Sequence, residues 1–138
     1  MTARSLLVSL ALGACGQSTS RPDAGMVDAV PRETITDTQT LQPGMLLEGT
    51  WLAGASDEIG ITLTTTAADM DWDIHAHANG GTQDVVSAFG QMTVSYDFRP
   101  DQQAQWFMLI RNSAATPLAI EVRMELFGAA QWQGWLVP

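Results

Sequence analysis

The sequence predicts an all-β protein, a single antiparallel β-sandwich set behind a signal peptide and a flexible linker. Three observations carry this. From about residue 32 onward, apolar side chains recur at every second position, the period at which a strand turns one face to a core. Clusters of Gly, Pro, Asn, Asp and Ser interrupt the pattern about every 8–12 residues, the spacing of short strands and turns. No stretch of that region carries a sustained helical stripe.

Composition limits the rest. A chain of 138 residues accommodates one modest domain. With 46% hydrophobic and 15% charged residues, it has enough apolar surface to fold. The six bases are all arginine (Arg4, Arg21, Arg32, Arg99, Arg111 and Arg123), and 15 acids leave a net charge of -9. That balance repels nucleic-acid phosphate, so nucleic-acid binding is not expected. A single cysteine, Cys15, excludes an intramolecular disulfide, and packing must hold the core.

Residues 1–14 read as a signal peptide. Arg4 gives the positive start, and Leu6 to Ala14 form an apolar run too short for a permanent span of about 20 residues. The run ends in Leu12-Gly13-Ala14-Cys15, which resembles the lipobox of bacterial lipoproteins. The resemblance implies cleavage before Cys15, a diacylglycerol on its thiol and an acylated amino group. Each buried CH₂ of such chains contributes about 0.8 kcal/mol to anchoring. Gly16, rather than an aspartate, follows the cysteine, as in lipoproteins sent to the outer membrane, so a lipid-anchored place in the cell envelope is implied. Residues 15–31 are rich in Gly, Ser, Thr, Asp and Pro and read as the lipidated cysteine plus a flexible tether.

The domain, 32–138, follows as a string of strands. Glu33 to Leu41 alternates threonine with other residues as a candidate edge strand ended by Gln42-Pro43-Gly44. Met45 to Ala53 is the second strand. Gly54 to Glu58 turns the chain into Ile59, Ile61 and Leu63. Met70 to Ala76 is the strand around which the domain is organised. Asn79-Gly80-Gly81 makes a hairpin turn into a short strand, Thr82 to Phe89. Gln91 to Phe98 places Met92, Val94, Tyr96 and Phe98 on one face. Trp106 to Ile110, apolar on both faces, predicts a central strand buried between layers. Leu118, Ile120, Val122, Met124 and Leu126 then alternate with polar residues as a half-buried strand. Trp51, Trp72 and Trp106 are expected in the core.

With the strands placed, residues 45–128 resemble a GOLD-type (emp24/p24-like) β-sandwich. The similarity rests on Asp73-Ile74-His75-Ala76-His77, on Val94 to Pro100, and on Trp106 to Asn112 with the last alternating strand. It implies a two-sheet sandwich of jelly-roll or GOLD-like form and a non-catalytic interaction or accessory module.

The candidate sites are few. Asp71, Asp73, His75 and His77 share one strand face, opposite Trp72, Ile74 and Ala76. Imidazoles two apart with flanking carboxylates suit a divalent ion such as Zn²⁺ or Cu²⁺. The competing expectation is a polar face whose imidazoles bond to neighbouring groups. Trp132 and Trp135 near the C-terminus offer two indoles for sugar stacking or for docking a partner. Against this, the tail is expected to fold back and close the sandwich. No nucleophile elbow, phosphate loop, C-x-x-C or H-E-x-x-H is present, so an enzyme is not expected. The function expected is therefore a membrane-anchored lipoprotein with a binding module for an envelope protein. Metal binding and carbohydrate binding are the alternatives.

Overall fold

A computed structural model describes residues 30–136 apart from Asn79. The signal peptide, Cys15 and the tether up to residue 29 lie outside the described residues. Nine strands run through the described chain: β1 (Glu33–Leu41), β2 (Leu46–Ala53), β3 (Glu58–Thr65), β4 (Met70–Ala78), β5 (Gly81–Gln91), β6 (Thr93–Phe98), β7 (Ala104–Asn112), β8 (Leu118–Phe127) and β9 (Gln131–Leu136). One sheet has the order β1-β8-β3-β6 and the other β5-β4-β7-β2-β9. For brevity these are the threonine sheet and the histidine sheet.

The pairing explains the order. β1 runs antiparallel to β8, β2 to β7, β3 to β6 and β4 to β5. Four nested antiparallel pairs of this kind are one long hairpin rolled into two layers, which is a jelly roll. β9 adds to the outer edge of β2.

The period-two pattern decides what lies between the layers. Ile59, Ile61 and Leu63 of β3 and Ile120, Val122, Met124 and Leu126 of β8 face Trp51, Ile74, Trp106, Met108 and Ile110 of the other sheet, all buried. Burying each such side chain contributes about 1.5–3 kcal/mol. Phe98 meets Trp51 and Trp106 edge-on, and Tyr96 meets Trp72 the same way. Trp51, Trp72 and Trp106 are thus core residues, as expected.

Buried polar groups pin the ends of the roll. The Asp57 carboxylate accepts from Gly54 N and Ala129 N at 2.8 and 2.7 Å, joining two turns at one end. At the other end, Asn112 Nδ2 donates to Leu41 O and Thr116 O, both at 2.9 Å.

Three expectations are corrected. Met92 lies outside β6 and is exposed, its carbonyl accepting from Thr65 N. The C-terminal residues do fold back onto the sandwich, but as a ninth strand paired with β2 that the sequence did not predict. Trp106 to Ile110 is a central strand, but only its inner face is covered. Trp106, Met108 and Ile110 are buried, whereas Phe107 and Leu109 lie half-buried on an outer face that has no second layer over it among the described residues.

Candidate functional site

β4 sorts its side chains as the alternation requires. Trp72, Ile74 and Ala76 point into the core; Asp71, Asp73, His75 and His77 point to the outer face of the histidine sheet. On that face His75 is only 6% exposed. Its ring lies parallel to Phe107 of the neighbouring strand, centroids 5.4 Å apart with an 11° interplanar angle. Phe107 lies directly opposite His75 in the ladder.

Both ring nitrogens of His75 meet carboxylates. Nδ1–H donates to Asp73 Oδ1 at 2.6 Å, a charge-assisted bond between residues two apart on one face. Nε2 faces Glu48 Oε1 at 3.5 Å. Glu48 comes from β2, on the far side of β7, and is opposite Leu109, itself opposite Asp73. The two side chains therefore converge over β7, beside Phe107 and Leu109. His77 is exposed and packs edge-on to both rings, with centroids 5.1 Å from His75 and 4.8 Å from Phe107.

The structure thus brings together Asp73, His75 and His77 and adds Glu48. Asp71 belongs elsewhere: its Oδ1 accepts from Gly90 N at 3.0 Å and Ser113 Oγ at 3.3 Å, fixing a bulge of β5 and a turn. Among the described residues no three His, Cys, Asp or Glu side chains already converge on one metal position. Glu48 and Phe107 are the participants that sequence spacing missed. The one available signal was Glu48 itself, the only charged residue in Leu46 to Ala53.

Trp132 and Trp135 turn inward. Both indoles lie over Gly49 of β2, where a side chain would collide with them. Trp132 stacks on Trp51 with centroids 6.3 Å apart, and Trp135 Nε1–H donates to Asp37 Oδ2 across the sheets at 2.7 Å. The tail closes one side of the sandwich, and both rings pack against the core.

The two outer faces contrast. The threonine sheet shows Thr34, Thr36, Thr38, Thr40, Thr62 and Thr64 with Glu121 and Arg123, a polar surface with a broad open depression. The histidine sheet shows Leu46, Phe107, Leu109 and Leu136 among Glu48, Asp73 and the two histidines.

No family model matches the chain, and no curated protein is similar to it. Solved structures share the fold. A mitogen derived from Yersinia pseudotuberculosis superimposes with a TM-score of 0.56 at 16% identity, covering 79% of this chain and 97% of that one. PliG of Aeromonas hydrophila, a periplasmic inhibitor of g-type lysozyme, superimposes with a TM-score of 0.50 at 8% identity, covering 68% of this chain and 86% of that one. At such identities the likeness is one of fold.

Proposed function

We propose that this chain is a lipid-anchored protein of the bacterial cell envelope whose jelly roll is a non-catalytic binding module for a basic protein. One observation carries the binding reading. Phe107 and Leu109 occupy a central strand, yet among the described residues no layer covers their face. Aromatic and aliphatic side chains at the middle of an open sheet, ringed by polar groups, are the composition of a protein interface. Charge selects the partner's chemistry. The chain has a net charge of -9, and among the described residues Asp71, Asp73 and Glu48 on that face are offset by Arg111. A basic surface would be steered to it. Anchoring is supported by the lipobox-like Leu12 to Cys15 and the polar tether behind it. The similarity of residues 45–128 to GOLD-type modules supports a non-catalytic role.

Each half has its test. In a host with lipoprotein-processing enzymes, the full-length chain should incorporate labelled palmitate and sediment with membranes. Cys15→Ala should lose both; a variant still labelled and sedimenting would rule out the anchor. A g-type lysozyme, the target named for the Aeromonas protein, is the first defined partner to try. A photo-crosslinker at position 107 should capture the partner in cells, Leu109→Glu should abolish capture, and Thr62→Glu on the opposite face should leave it intact. Equal capture from positions 107 and 62 would remove the binding face.

A further inference from the structure

We infer that the outer face of the histidine sheet holds a divalent transition-metal site, with His75 Nε2, Glu48 Oε1 and a ring nitrogen of His77 as ligands. Asp73 is the group that orients His75. The inference is independent of the protein-binding reading, because its readout is the metal itself.

The argument begins at Asp73. Its short bond to His75 Nδ1 places the proton on that nitrogen, so in the neutral ring Nε2 is a bare lone pair. That lone pair faces a carboxylate oxygen 3.5 Å away. Two acceptors aimed at each other are a repulsive contact unless a cation sits between them, either a proton or a metal ion. The 3.5 Å gap lies within ion-pair range for a protonated ring, and it also fits two ligands of one metal. A hydrogen bond across that gap would span about 2.7–2.9 Å. Two ligands on one tetrahedral Zn²⁺, with bonds of about 2.0–2.2 Å, stand about 3.3–3.5 Å apart.

The surroundings match a ligating histidine. A metal-bound imidazole usually donates its other N–H to a carboxylate, which fixes its tautomer and raises its basicity. Asp73 does that here. Stacking on Phe107 locks the ring plane, so the ligand is oriented before metal arrives. The third donor is adjustable. His77 is exposed and its ring lies beside that of His75; the three donors do not converge as they stand, so the site requires a rotamer change at this solvent-facing residue. Two imidazoles and a carboxylate are a donor set that suits Zn²⁺, with Cu²⁺ and Ni²⁺ as competitors. A fourth position stays open to water.

The chain's composition makes the test clean. It contains two histidines and one cysteine, so other sites for soft or borderline ions are scarce. The purified full-length protein in detergent is titrated with Zn²⁺ by calorimetry, and with Co²⁺ by its visible absorption, at neutral pH. One equivalent should bind with micromolar or tighter affinity, and the Co²⁺ spectrum should have tetrahedral intensity. Glu48→Gln and His77→Ala should each weaken binding at least about tenfold, and Asp73→Asn about 10–100-fold. The exposed position of His77 makes its variant decisive even where His75→Ala fails to fold. Circular dichroism of each metal-free variant checks the fold. Absence of saturable binding up to millimolar Zn²⁺ would overturn the site and make a proton the bridging cation. Wild-type affinity in both His77→Ala and Glu48→Gln would overturn the ligand assignment.

Discussion

Asp37 shows how a residue placed against its pattern can hold two layers together. β1 alternates threonines outward with Ile35, Asp37, Gln39 and Leu41 inward, so a carboxylate falls where an apolar residue is the usual choice. It is accommodated by three donors: the Gln39 amide at 2.6 Å, the Trp135 indole at 2.7 Å and Thr38 N–H at 2.8 Å. The bond from Gln39 is the main cause holding its pKa below the ordinary 3.8; partial burial pushes the other way, and the Trp135 and Thr38 bonds add to the lowering. A depressed carboxylate contributes stability above its unfolded-state value and loses it as pH falls through the native one. Asp37→Asn should therefore cost about 0.5–1 kcal/mol at neutral pH, a modest figure because solvent screens the site. The gap in melting temperature between wild type and variant should close as pH drops below about 3.9, followed by calorimetric melts. A gap constant down to low pH would remove the charge from the account. Asp57, buried and accepting from two backbone N–H groups, has a larger role. Asp57→Ala leaves both donors unpaired, and about 1–3 kcal/mol should be lost in urea denaturation at neutral pH.

β9 folds back and packs both its tryptophans on the core, as expected, but its strand character was not legible in the sequence, and the reason is geometric. Residues three apart on a regular strand face opposite ways, so Trp132 and Trp135 do not look like one strand face. A bulge resolves this. Trp51 pairs with Trp132 and Thr50 with Gly134, leaving Gln133 unopposed, and the extra residue turns both indoles inward. Local period cannot reveal such an insertion. The same limit applies to pairing: alternation made β1, β3, β4 and β8 legible, yet nothing within a strand says which strand lies beside it. Glu48 was missed as a neighbour of His75 for this reason, since the two meet only once β7 is placed between β2 and β4. The faces of β4, by contrast, followed directly from its alternation. Close packing of β9 on β2 depends on Gly49, where a Cβ would run into both indole rings. Trp132 is wedged on Trp51 and Trp135 is tied to Asp37, so neither can swing aside cheaply. Gly49→Ala should cost about 1–3 kcal/mol from overpacking and change tryptophan fluorescence in the native state. A variant as stable as wild type would mean that β9 lifts off without penalty.

At the scale of the whole molecule, the jelly roll imposes an order of assembly. Of its sheet pairings, only β4 with β5 joins consecutive strands; β1 must wait for β8, β2 for β7 and β9, and β3 for β6 and β8. Folds dominated by such non-local contacts fold in about milliseconds to seconds, because loop closure comes before the contacts that reward it. The β4–β5 hairpin is the element able to form early, and it also carries both histidines, whereas Glu48 and Phe107 join them only when β2 and β7 pair. Gly80 is the point at which to test this. It turns the hairpin with φ +77°, and a Cβ there would meet nothing within 4 Å, so Gly80→Ala adds backbone strain of about 1 kcal/mol and no clash. If the hairpin is already formed in the transition state, that loss falls on the folding rate, which should drop about fivefold while unfolding stays unchanged. Ile120→Val, at a fully buried position of β8, costs a comparable 0.5–1.5 kcal/mol or so. Its strand pairs only with distant partners, so the loss should appear mainly as faster unfolding. Stopped-flow tryptophan fluorescence across urea concentrations reads both variants in one experiment. Reversal of the two patterns would place the nucleus in the threonine sheet and make the hairpin a late addition.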